Sequence, residues 1–149
     1  MPQSFGSLHC HIVFSTKQRR PYINDDVQPR LFAYIGGIVG NHSSSLIAAG
    51  GMPDHVHLLV SLGRTLAVAD GVRLIKSNSS AWLHDEVGMA GFQWQEGYGA
   101  FAVSYSHIDL VKSYLADQRQ HHHRATLQDE FRQLLRRHNI EWDERYVWD

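Results

Sequence analysis

The hydrophobic positions of this chain switch between a period of two and a period near 3.6, and the switches mark its elements. "LHCHIVF" at 8–14 alternates, with Leu8, Cys10, Ile12 and Phe14 on one face and His9, His11 and Val13 on the other, which predicts a strand. The polar, basic "STKQRRPYIN" reads as a connection. Asn24 or Asp25 can cap a helix running to about Val39, with Pro29 tolerated only near its first turn. "SSLIAAGGMPDHVHLLVS" reads as strand, turn, strand: Leu46 to Ala49 enter, Gly50, Gly51 and Pro53 break, and His55 to Ser61 return.

From Leu66 to about Glu86, Val68, Val72, Ile75 and Leu83 fall at helical spacing, weakened by Gly71 and by Ser77 to Ser80. A strand around Gly99 to Tyr105 follows. Ser106 with Asp109 resembles a capping box opening a third helix, "HIDLVKSYLADQRQHHH". Thr126 with Asp129 caps a fourth, which buries Leu127, Phe131, Leu134 and Leu135. The tail "IEWDERYVWD" carries two of the four tryptophans and is expected to dock. The order strand, helix, strand, strand, helix, strand predicts an α+β fold: a ferredoxin-like split βαβ sandwich, its antiparallel sheet carrying helices on one face, with C-terminal helices added. One domain spanning 1–149 accommodates all of it.

Composition adds few constraints. A formal net charge of -1 gives no global pull toward nucleic acid, so such binding must come from local clusters such as Lys17, Arg19 and Arg20 in "KQRR". The single cysteine, Cys10, excludes an internal disulfide framework and fits a reducing compartment. The longest apolar stretches fall short of the roughly 20 residues of a membrane-spanning helix. With no basic-then-apolar leader, the expected location is cytoplasmic, away from membranes.

The candidate chemistry starts from "DHVH". In a strand His55 and His57 share a face, while Val56, Leu58 and Val60 take the other for packing. Their Cα atoms would lie roughly 6 to 7 Å apart, so both rings can lean onto one metal ion. A third protein oxygen, from Asp, Glu, Gln or Asn, would be needed to complete the site. Asp54 can orient an imidazole, bind metal or simply make the turn after Pro53. On the third helix Ile108, Val111 and Leu115 define the core face, and Tyr114 and Gln118 project together from its flank at i and i+4. "HHH" at His121 to His123 reads as a solvated helix end.

Taken in order, "DHVHLLVS", "GYGAFAVS" and "VKSYLADQRQHH" resemble the single-tyrosine HUH transposases of small bacterial insertion sequences, the IS200-like family with its REP-associated tyrosine transposase relatives. His55, Val56 and His57 match the family's histidine-hydrophobic-histidine motif, and Tyr114 and Gln118 match its nucleophile and the glutamine four residues later. The resemblance implies a metal-dependent single-stranded DNA transposase that cleaves and rejoins DNA through a 5'-phosphotyrosine on Tyr114. It implies Mg2+ or Mn2+ held by His55, His57 and Gln118, hairpin-ended single-stranded DNA as partner, and a homodimer. It also favours a helix that crosses to the partner, so that each site would combine two chains. Two rivals remain open: a domesticated module of the same fold that binds structured DNA or RNA without cutting, and a metal phosphohydrolase for which Tyr114 is dispensable.

Overall fold

The computed structural model describes residues 2–122 and 125–149. Its frame is a four-stranded antiparallel sheet of order β2-β3-β1-β4, built from β1 (His9–Ser15), β2 (Ser45–Met52), β3 (His55–Ser61) and β4 (Gly99–Val103). The connecting helices α1 (Val27–Gly40) and α2 (Val68–Asp85) supply the split βαβ order that the hydrophobic pattern predicts. Leu31, Ile35, Val72, Ile75 and Leu83 from these helices close over Cys10, Ile12, Phe14, Val56, Leu58 and Val60, and this is the main core.

Period-two alternation sends His11, Val13, His55 and His57 to the opposite face. That face is also covered. The chain lays α3 (Ile108–Ala116), the short α4 (Gln118–His122) and α5 (Leu127–Arg137) across it, and the tail follows. Val13, Phe101 and Leu135 form a second core there, with Phe131, Leu134, Trp142 and Val147 packed around it. The tail therefore docks as expected, and the Asp149 carbonyl accepts from the Gly97 amide at 2.9 Å.

Several boundaries differ from the sequence reading, each for a local reason. β2 does not break at Gly50 and Gly51 but runs to Met52, so that Gly50 pairs with His57 and Met52 with His55. The glycines are there for close approach: a Cβ on Gly50 would sit 2.0 Å from the Leu115 carbonyl oxygen of α3. "SNSS" does not interrupt α2, which runs unbroken through it while Ser77 and Asn78 turn their side chains back onto the carbonyls of Arg73 and Leu74. Ser79 is buried, where its hydroxyl accepts from the Trp94 indole at 3.0 Å. The third helix is not one piece: it stops at Ala116, Asp117 takes φ -98° and ψ 23°, and α4 begins at Gln118. The capping box at Ser106 and Asp109 does not form, since the Ser106 hydroxyl engages the His107 ring instead. Thr126 does cap α5, accepting from the Asp129 amide at 3.2 Å.

Gly50→Ala should therefore destabilise the chain by about 1–3 kcal/mol through forced separation of α3 from β2. Gly37→Ala, in a helix with nothing within 4 Å of the added methyl, should instead stabilise it by about 0.5–1 kcal/mol. Urea melts of the two variants check the contrast; equal stabilities would mean that α3 does not rest on Gly50.

Candidate active site

The two imidazoles enter the site from neighbouring positions on one strand face, and both are fully buried. Because α3 lies almost against β2 at Gly50, the residues of α3 and α4 reach the same place. Tyr114 stands edge-on to His57 and His11, with ring centroids 5.7 and 6.1 Å away. Gln118 is buried with its Oε1 3.2 Å from Nε2 of His55. All four residues singled out by the sequence thus meet within one chain. Within this single chain α3 packs on its own sheet, the alternative to the crossing that the family resemblance favours.

The hydrogen bonds fix which ring nitrogens are free. Nδ1 of His55 lies 2.8 Å from the Asp54 carboxylate, which can only accept, so Nδ1 carries the proton and Nε2 presents a lone pair. That lone pair faces Oε1 of Gln118, another acceptor. The amide is held in this orientation because its Nε2 faces Oε2 of Glu130 at 3.5 Å. Two acceptors 3.2 Å apart call for a cation between them, either a proton or a metal ion. On His57 the sense is reversed: Nε2 donates to Oε1 of Glu130 at 2.8 Å, and Nδ1 accepts from Nε2 of His11, also at 2.8 Å. Burial, and then the neighbouring His57, push the His11 pKa down to about 3, which keeps that ring a neutral partner.

Glu130 is the residue that sequence reasoning missed. It is 7% exposed and joins His57 to Tyr114, whose phenol is hydrogen-bonded to it. Burial opposes its ionisation, yet hydrogen bonds from His57 and Tyr114 outweigh it and keep the carboxyl at about 2. The same surroundings act in the other direction on Tyr114: burial, followed by the hydrogen bond and charge of Glu130, raises the phenol above its ordinary range. A signal for Glu130 was present in the sequence. It falls on the apolar stripe of α5, three residues after Leu127 and four before Leu134, where a solvated acid does not belong.

His122 is a second correction. Far from being a solvated helix end, it turns inward, its ring 4.7 Å from that of His55 and its Nε2 3.6 Å from Oε1 of Glu130. That nitrogen is buried without a hydrogen-bond partner. His123 lies outside the described residues. Among the described residues His55, His122 and Glu130 each offer a ligand atom within 4.8 Å of the others, a donor set of imidazoles and carboxylate that suits a divalent ion. Beside Tyr114 opens a cleft of about 840 Å³, lined by His11, Phe101, Leu110, Tyr114, Glu130 and Arg137 among others.

The basic cluster stands apart from this centre. Lys17, Arg19 and Arg20 are exposed on a 3-10 turn after β1, at the end of the sheet where Ser15 pairs with His55. Lys76 is engaged elsewhere: its ammonium donates to the carbonyls of Gln95, Glu96 and Gly97 at 2.9, 3.1 and 2.7 Å.

Comparison with known proteins places the chain in one family and one fold. The family model described as "Transposase IS200 like" matches residues 4–118. The ISDra2 transposase TnpA of Deinococcus radiodurans is 26% identical over 117 residues, covering 74% of this chain and 84% of the relative. A crystal structure of a transposase from Deinococcus radiodurans has a TM-score of 0.61 at 24% identity, over 79% of this chain and 98% of that one. A REP-associated tyrosine transposase bound to a REP hairpin has a TM-score of 0.57 at 14% identity, over 78% of this chain and 70% of that one. The fold is shared with these proteins.

The orienting role of His11 gives a direct check. His11→Phe keeps an aromatic ring, somewhat larger than imidazole, but leaves Nδ1 of His57 buried without a partner, and should cost about 1–3 kcal/mol in a urea melt. His9→Phe, on the same strand face but partly exposed, should stay within about 0.5 kcal/mol of wild type. If the two variants melt alike, His11 is not holding His57.

Proposed function

Because this chain belongs to the IS200-like transposase family, we propose that it is a metal-dependent transposase that cleaves and rejoins single-stranded DNA through Tyr114. The observation that carries this reading is the meeting of Tyr114 with His55, His57 and Gln118 in one buried cluster at the mouth of a cleft. A non-cleaving relative would have no need to keep a phenol there, and a phosphohydrolase would have no use for it.

The phenol of Tyr114 attacks the scissile phosphorus. A bond forms from its oxygen, the bond to the 3'-oxygen breaks, and the proton lost by the phenol is balanced by the one gained by the released 3'-hydroxyl. The product is a 5'-phosphotyrosine, and its retained ester bond allows later rejoining without ATP. His55, His57 and Gln118 would hold Mg2+ or Mn2+, His57 through Nε2 once its proton has moved to Nδ1 and is donated to Nε2 of His11 instead; when bound, the ion supplies positive charge to the phosphoryl oxygens as negative charge grows on them. Asp54 and His11 orient the two imidazoles from behind. At rest Tyr114 keeps its proton, since burial and Glu130 both favour the neutral phenol.

Lys17, Arg19 and Arg20 would contact phosphates on the strand leading to the site, and a hairpin near the element end is the DNA partner that the family suggests. The cleft beside Tyr114 has room for the nucleotide next to the scissile phosphate. In a homodimer each chain would carry a self-contained site.

Tyr114→Phe should retain the wild-type melt and DNA binding while losing cleavage and the covalent adduct with labelled single-stranded DNA from the regions flanking its coding sequence. An adduct that persists would assign the nucleophile elsewhere. Mixing Tyr114→Phe chains with His57→Ala chains should not restore cleavage, even after mass spectrometry confirms any subunit exchange. Recovered activity would mean that sites are shared between chains.

A further inference from the structure

The matched part of the family ends at Gln118, yet the cluster does not. Glu130 reaches it from α5, with one carboxylate oxygen facing His57 and the other facing Gln118. Among the described residues its ion-pair partners are histidines alone, His57 and His122. A buried carboxylate kept ionised with no lysine or arginine beside it is free to take a cation as a further partner. Two further observations converge on the same point. Nε2 of His122 is buried and makes no hydrogen bond, lying 3.6 Å from this carboxylate, and Nε2 of His55 faces a second acceptor. A single divalent cation would satisfy all three.

The chemistry of the ion points the same way. Two imidazoles and an amide form a neutral set, whereas Mg2+ and Mn2+ favour hard, charged oxygens. A carboxylate supplies both.

We propose that Glu130 is itself a ligand of the divalent ion, so that α5 contributes a carboxylate to the histidine pair on the sheet and to Gln118. This rests on the reading that the cluster holds such an ion. The competing role is a purely orienting one, in which Glu130 fixes the ring of His57 and never touches metal.

Mn2+ is the probe, titrated into the full chain and followed by calorimetry and by loss of the free-ion electron paramagnetic resonance signal. Glu130→Gln keeps the size of the side chain and an acceptor for His57, and should weaken Mn2+ binding by about ten-fold or more, the loss expected at least from an orienting residue, so that direct contact is read from the cysteine variant. Glu130→Cys, titrated with Cd2+, should develop the ultraviolet sulfur-to-cadmium charge-transfer band that direct ligation produces. Wild type, whose only thiol is the buried Cys10, serves as the control. If Mn2+ binds Glu130→Gln as tightly as wild type and the cysteine variant shows no band above control, Glu130 is not a ligand and the inference fails, while the functional reading stands. If wild type binds no Mn2+ and forms no adduct with single-stranded DNA, the functional reading fails and the inference falls with it.

Discussion

The site depends on how closely a helix can approach a sheet. The rings of His55 and His57 project only a few ångströms from β3, so Tyr114 and Gln118 reach them only if the backbone that carries them lies almost against the neighbouring strand. Gly50, paired with His57 across the sheet, makes that possible by offering no Cβ to the Leu115 carbonyl. Gly99 does the same for α5, since a Cβ there would fall 2.5 Å from the Phe131 ring. The two glycines set the distances at which the C-terminal helices cover the imidazole face. A side chain at either would separate sheet ligands from helix ligands.

Packing and chemistry divide the sheet between them. The face toward α1 and α2 is apolar throughout and carries the main core. The other face mixes a small apolar patch around Val13, Phe101 and Leu135 with the imidazole cluster beside it. The patch matters for the cluster because Leu135 and Phe131 anchor α5, and α5 brings Glu130 to His57. Positioning of the polar centre is thus set by burial of apolar neighbours on the same elements, a directionless force made specific by the helical spacing of the residues.

Much of this was legible in the sequence because it rests on short periods. A period of two puts His55 and His57 on one face, and the interval of four between Tyr114 and Gln118 still brings both to the cluster although the helix is interrupted at Asp117 between them. What escaped reading depends on tertiary approach. Gly50 and Gly51 look like strand breakers until a helix is seen lying against them. The stop at Ala116 has no glycine or proline to announce it. His122 reads as a dipole-favoured helix end, since nothing local says that α5 will fold back beside it. Glu130 had a local signal, an acid within an apolar stripe, but its meaning comes from a strand 73 residues earlier in the chain.

That separation also orders events during synthesis. His57 leaves the ribosome 73 positions ahead of Glu130, and at about 5–20 residues per second the interval lasts several seconds. Through that time β1, β2 and β3 can pair and collapse onto α1 with the histidine face still open to water. The centre is then sealed from the C-terminal side, last of all, so a stalled or shortened chain presents its imidazoles and sheet face uncovered while the main core is already in place.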